Sequence, residues 1–212
     1  MICVSISGQT ASQILEELNQ VSMAEIRLDL LNLSDNEIME VFEAHPNLIA
    51  TYRPGRVSEI ERTRQLKLAL KHGATWIDIE LEAPTDWKKE MIRFASKLGK
   101  KVIISTHNFE KTPTADELLS LVEVMQKEGA DLVKLACLAD SAAACARLLS
   151  LYERYKNILV IGMGPHGSIT RIAATFLGAP FTFAAGKAGK TAPGQFTFSE
   201  MQRAIQLINH GE

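Results

Sequence analysis

The stretch ADLVKLAC (130–137) sets Lys134 between Val133 and Leu135, an ammonium ion inside an apolar run. Lysine is almost never fully buried unless paired, and burial without a partner drives it towards the neutral amine. Either the run is exposed on one face or a neutral amine is wanted there. His107 ends a second apolar run, KVIISTH (101–107). A neutral amine in a tight, partly apolar pocket attacks a ketone or aldehyde and forms an electron-withdrawing Schiff base. A positioned imidazole takes the proton that the iminium acidifies. Brought together, the two side chains are the parts of imine chemistry.

A second group of residues could bind an anion. GMGPHGSITR (162–171) places Arg171 just after a glycine-rich turn, and AAGKAGKTAPGQFT (184–197) is a second glycine-rich segment. Backbone amides and a helix N-terminus in such loops bind phosphate. They serve a carboxylate equally well, with Arg171 able to grip it bidentately. His72 precedes a helix-ending glycine, His45 and His210 read as surface residues, and His166 lies in a loop. No His/Asp/Glu group has metal-ligand spacing, so no metal is expected.

These groups need a scaffold. Eight apolar runs stand out: 2–7, 24–31, 47–53, 75–81, 101–107, 131–137, 157–163 and 180–185. Between them lie helical spacings such as Trp87, Met91, Phe94, Leu98 and Leu118, Leu121, Val122, Met125. Capping boxes open several of these segments at 10–13, 34–37, 58–61, 114–117 and 199–202. Gly73, Gly99, Gly129 and Gly178 fit helix ends. Strict alternation of strand and helix implies a parallel sheet with helices outside. Eight units predict an α/β fold, a single (β/α)8 TIM barrel over residues 1–212.

Barrel strands covered on both faces usually read as continuous Val/Ile/Leu. Here charges interrupt them with period 2: Glu25, Arg27 and Asp29; Thr51 and Arg53; Asp78 and Glu80; Ser105 and His107; then Lys134. The apolar sets fit against helices, which leaves the charged sets in the barrel lumen. Four carboxylates there face Arg27, Arg53, Lys134 and nearby Arg171, a balance that lets buried charges pair. Such a network can simply fill the barrel centre. Groups at C-terminal strand ends, where barrel enzymes place their active sites, are the functional candidates.

Composition narrows the partners. The net charge is −2 and 46% of residues are hydrophobic. That balance gives no electrostatic case for nucleic acid or an anionic membrane, and no apolar run approaches a membrane span of ~18 residues. No charged leader precedes Arg27, and Cys3, Cys137 and Cys145 lack metal or CxxC spacing. A cytoplasmic protein with buried, reduced thiols and a small-molecule partner is expected.

EIRLD (25–29), TYR (51–53), IDIEL (77–81), STHNFEKTP (105–113), ADLVKLA (130–136), GSITR (167–171) and TAPGQ (191–195) occur in this order along the chain. Together they resemble the type I 3-dehydroquinate dehydratase family. The resemblance implies a shikimate-pathway lyase, a homodimer that dehydrates 3-dehydroquinate to 3-dehydroshikimate without metal or cofactor. It assigns the Schiff base to Lys134 and the proton transfers to His107. It assigns the substrate carboxylate to Arg171 and Gln195, and the ring hydroxyls and ketone end to Glu25, Arg27 and Arg53. Ser5 and Thr191 complete the implied binding set. Three departures stand out: Thr191 replaces the usual Ser, Pro165 replaces a second methionine, and the segment after Arg53 is shortened. That segment, PGRVSEIE, lacks the family's Glu-Gly-Gly, whose glutamate orients the histidine, and offers only Glu59 and Glu61.

Two rivals remain on the residues alone. A class I Schiff-base aldolase would bind a phosphorylated sugar through the glycine loops; Arg171 with Gln195 argues for a carboxylate instead. A catalytically idle ligand-binding barrel has no evident need for an amine in an apolar strand.

Overall fold

The computed structural model describes residues 1–209. Eight strands alternate with helices: β1 (Ile2–Ile6), α1 (Ala11–Leu18), β2 (Ala24–Arg27), α2 (Asp35–Glu43), β3 (Leu48–Thr51), α3 (Glu59–Lys71), β4 (Trp76–Glu80), α4 (Thr85–Lys97) and β5 (Lys101–Asn108). There follow α5 (Ala115–Lys127), β6 (Leu132–Leu138), α6 (Ala142–Leu149), the short α7 (Leu151–Arg154), β7 (Ile158–Met163), α8 (Ser168–Phe176), β8 (Thr182–Ala185) and α9 (Phe198–Asn209). Every ladder is parallel, in the order β8-β1-β2-β3-β4-β5-β6-β7. The result is the expected (β/α)8 TIM barrel, nearly closed, with α8 packed on both β7 and β8.

All eight expected strands form. Their outward residues, including Val4, Ile26, Ile79, Ile104, Leu135 and Val160, are fully buried beneath the helices. Phe183 packs edge-on to Phe181 and Phe181 edge-on to Trp76, at 5.5 and 6.2 Å between ring centroids, making an apolar floor for the lumen. The three cysteines are free and buried. Among the described residues no helix is long and apolar enough to cross a membrane.

The second strand is shorter than expected. It stops at Arg27, and Leu28–Leu30 form a 3-10 turn. The Arg27 guanidinium donates to both oxygens of Asp29, at 2.9 and 2.6 Å, which ties two residues two apart. Arg56 donates to the carbonyls of Asp29 and Leu31 at 2.7 and 2.8 Å, satisfying groups that a continuing ladder would have used.

Helix starts follow local rules with two corrections. Thr10, Ser34 and Thr114 form full capping boxes. Ser58 caps the Glu61 amide, but the Glu61 carboxylate turns to Arg64 and Gln65, so that box is half made. The box expected at 199–202 lies two residues earlier: Thr197 accepts from the Glu200 amide at 3.3 Å, and Glu200 from that of Thr197 at 2.8 Å. Along α4 the buried face is Lys88, Met91 and Ala95 rather than the full Trp87–Leu98 stripe, and Leu98 is exposed. Gly73, Gly99, Gly129 and Gly178 all have positive φ at helix ends. At Gly73 the requirement is twofold, because a Cβ would also lie 2.2 Å from the Phe42 carbonyl oxygen.

Candidate active site

Adjacent strands bring the lumen charges together on two neighbouring rows. Ser105 on β5 is in register with Lys134 on β6 and with Glu80 on β4, and Thr51 on β3 pairs with Asp78. Lys134 is 5% exposed, and it has partners. Its Nζ donates to Asp78 Oδ2 at 2.9 Å, lies 3.8 Å from Glu25 Oε1, and sits 4.2 Å from the centroid of the Phe183 ring. The amine in the apolar strand is thus neither solvent-exposed nor alone: it rests on an aromatic face and is anchored by a carboxylate.

Asp78 is the hub of the two rows. It accepts from Ser105 Oγ at 2.5 Å and pairs with Arg53 Nη2 at 3.0 Å. Burial alone would raise its pKa, but Arg53, Lys134 and Ser105 together hold its carboxyl far below the usual carboxylate range. Glu25 accepts from Ser5 Oγ at 2.7 Å and Thr51 Oγ1 at 2.9 Å. Burial pushes against its ionisation, yet Lys134 and Arg27 keep its pKa below the ordinary value. Arg53 also pairs with Glu80 Oε1 at 2.8 Å, and these carboxylates outweigh burial and raise its pKa.

His107 lies two residues along β5 from Ser105, about 6.5 Å nearer the C-terminal mouth. Its ring stacks on Phe109 at 6.1 Å and 14°. Burial, then the positive charges of Arg53 and Lys134, push its pKa down to about 3. The imidazole is therefore neutral, with a free lone pair, through the physiological range. Glu59 pairs with Arg62 at 3.0 Å and Glu61 with Arg64 at 2.7 Å, so both carboxylates after Arg53 are engaged on α3. Among the described residues no hydrogen bond joins His107 to a carboxylate.

The opposite wall comes from α8 and the loop after β8. Arg171 is 1% exposed, and its Nη2 donates to the Pro193 carbonyl at 3.3 Å. Its Nε has no partner among the described residues, and burial lowers its pKa to about 10. Gln195 Oε1 accepts from the Thr191 amide at 2.9 Å and from Thr191 Oγ1 at 3.2 Å. Gly194 makes the junction: with φ +72° it lies so close to Gly164 that a Cβ would sit 2.4 Å from that carbonyl oxygen.

These walls enclose a cavity of about 270 Å³, the scale of a small metabolite. Glu25, Arg27, Arg53, His107, Lys134, Arg171, Thr191 and Gln195 all line it. Ser5 stands behind the lining, donating to Glu25 and accepting from Thr191 Oγ1 at 3.2 Å. Asp29, expected among the lumen charges, lies in the turn after β2, where it neutralises Arg27. Sequence reasoning missed the apolar lining of Phe109, Ala136, Ile161, Met163, Phe183 and Ala192. His45 is half-buried rather than a surface residue and contacts the Val21 carbonyl at 3.1 Å; His72 pairs with Glu43, and His210 lies outside the described residues. Among the described residues no group of three or more His, Cys, Asp or Glu is arranged to hold a metal.

The family model of type I 3-dehydroquinase matches residues 2–212. A 3-dehydroquinate dehydratase of Methanococcus maripaludis is 36% identical over 221 aligned residues, covering 99% of this chain and all of the relative. The type I 3-dehydroquinate dehydratase of Clostridium difficile, solved with covalently modified comenic acid, superposes with a TM-score of 0.84 at 29% identity, over 100% of this chain and 92% of that one. The 3-dehydroquinate dehydratase of Aquifex aeolicus gives a TM-score of 0.84 at 26% identity, over 99% of both chains. With that match running nearly end to end, the chain belongs to the type I 3-dehydroquinase family.

Proposed function

We propose that this protein dehydrates 3-dehydroquinate to 3-dehydroshikimate through a Schiff base on Lys134, as a step of the shikimate pathway. The observation that carries the reading is a buried amine and a neutral imidazole in neighbouring layers of one cavity, with a buried arginine on the wall opposite. The Clostridium difficile relative was solved with covalently modified comenic acid, which is in keeping with a covalent step.

In this reading the Lys134 nitrogen adds to the ring ketone; of the three protons of its ammonium group, two leave with the ketone oxygen as water and one stays on the nitrogen, giving an iminium. The charge is +1 before and after, so Asp78 and Glu25 balance the intermediate as they balance the ammonium. His107 removes a proton from the adjacent carbon, and the electron pair flows into the iminium to give an enamine. The enamine then expels the hydroxyl on the next carbon, which also carries the carboxylate, and His107 returns its proton to that oxygen as water leaves. A second water hydrolyses the imine and frees Lys134. Arg171 grips the carboxylate with donors that the protein leaves open, and the Gln195 amide nitrogen is free to assist, because its oxygen is held by Thr191. Glu25, Arg27 and Arg53 orient the ring. A homodimer acting in the cytoplasm belongs to the same reading and rests on family membership.

Borohydride added with 3-dehydroquinate is expected to leave a reduced adduct on Lys134, seen by peptide mass. An unchanged mass, or an adduct elsewhere, overturns the mechanism. His107→Ala is expected to keep trapping while turnover falls by at least ~10²-fold.

A further inference from the structure

Arg62 belongs to α3, on the outer side of the barrel wall, yet it is only 2% exposed. A buried guanidinium is stable only when several groups offset its lost hydration. Nε donates to the Tyr52 carbonyl at 2.7 Å, Nη2 to Glu80 Oε2 at 2.6 Å and Nη1 to Glu59 Oε1 at 3.0 Å. The guanidinium also lies 4.3 Å from the centroid of the Trp87 ring.

Two of these contacts converge on Arg53. Glu80 turns its other oxygen to Arg53 Nη1 at 2.8 Å. Tyr52 precedes Arg53, so its bound carbonyl fixes the peptide from which the Arg53 side chain leaves. Arg53 in turn pairs with Asp78 at 3.0 Å, and Asp78 anchors Lys134 at 2.9 Å. We propose that Arg62 is a positioning residue for the reaction, acting from outside the pocket through Glu80 and Arg53 on the Asp78–Lys134 pair. An anchor for α3 alone would need Trp87, Tyr52 and Glu59. It would not need a carboxylate shared with a pocket arginine.

Removing Arg62 gives the whole charge of Glu80 to Arg53 and draws Arg53 away from Asp78. Asp78, freed from Arg53, then shifts on Lys134 and carries the amine out of line with the ketone, which slows attack. The carboxylate grip of Arg171 and Gln195 lies on the opposite wall and is untouched, so kcat falls by more than KM rises through the displaced Arg53.

The inference rests on the imine reading, and one set of assays separates the two. Wild-type turnover of 3-dehydroquinate, with trapping on Lys134, tests that reading by itself. Arg62→Gln, with rates expressed per borohydride-titrated site, is expected to lose up to about 100-fold in kcat, the scale of a small misplacement of reacting groups. Its KM for 3-dehydroquinate should change far less than its kcat. Arg62→Lys, which keeps the cation, should recover part of the loss and covers the case in which the glutamine variant folds poorly. Glu59→Gln, removing only the half-exposed partner, should match wild type. An Arg62→Gln enzyme with wild-type kcat per titrated site overturns the role, whatever its stability.

Discussion

Arg171 carries a charge into an almost fully buried position with a single protein hydrogen bond among the described residues, to the Pro193 carbonyl. An unsatisfied buried donor costs about 1–3 kcal/mol, so this residue is held against the interest of stability. Arg171→Met, of similar reach but without charge, should therefore unfold at higher denaturant, by about 1 kcal/mol. The same variant should raise KM for 3-dehydroquinate by about 10- to 100-fold, the loss of charged hydrogen bonds to a carboxylate, with kcat changed far less. Denaturant titration and steady-state kinetics on one preparation check both. A variant that is less stable and keeps its KM would mark Arg171 as structural. The charged half of the site was legible in the sequence because a charge on a barrel strand violates the expected apolar pattern. Ile161, Met163 and Phe183 were not, since an apolar residue lining a pocket has the same type and spacing as one filling a core.

At the scale of elements, the loop between β8 and α9 is fastened at Pro193 and Gly194 through its own backbone groups. Pro193 and Gly194 lie against Gly164, and Ser168 Oγ donates to the Gly194 carbonyl at 3.2 Å. Gly194→Ala puts a methyl group where the Gly164 carbonyl stands and strains a left-handed backbone. The loop should lift, moving Thr191 and Gln195 together, so KM should rise by about 10-fold or more. The barrel itself should lose only about 1–2 kcal/mol. An unchanged KM would show that the loop does not need this contact. The helix start beyond the loop shows what local pattern can and cannot decide. Thr197–Glu200 and Ser199–Gln202 both satisfy the capping rule, and the choice falls to tertiary structure, where the Ala185 amide reaches the Phe196 carbonyl at 2.7 Å. Arg62 escaped sequence reasoning for the same reason, because its partners Tyr52 and Glu80 lie 10 and 18 residues away.

For the whole molecule, the charged lumen makes stability depend on pH in two separable stages. His107 has a folded pKa of about 3, below its ordinary value, so between roughly pH 6.5 and 3 the unfolded chain binds the extra proton. Stability therefore falls as pH falls through that window, by at most about 1.4 kcal/mol per pH unit. Asp78 and Glu25 are also depressed, so their contribution is complete above about pH 4 and is lost only below it. Cap and surface carboxylates such as Glu37, Glu61 and Glu117 are depressed too and add to the lower stage. Salt distinguishes them, since a Debye length of about 3 Å at 1 M screens the exposed pairs and leaves the buried lumen nearly intact. Urea unfolding of the wild type should thus weaken from pH 7 to 5 and then steeply below 4. His107→Gln should flatten the first stage and keep the second, and 1 M salt should trim the second without removing it. A glutamine variant with the wild-type slope between pH 6.5 and 4.5 would mean that the imidazole takes up protons in the folded barrel. The neutral base on which the proposed proton transfer depends would then be lost at mildly acidic pH.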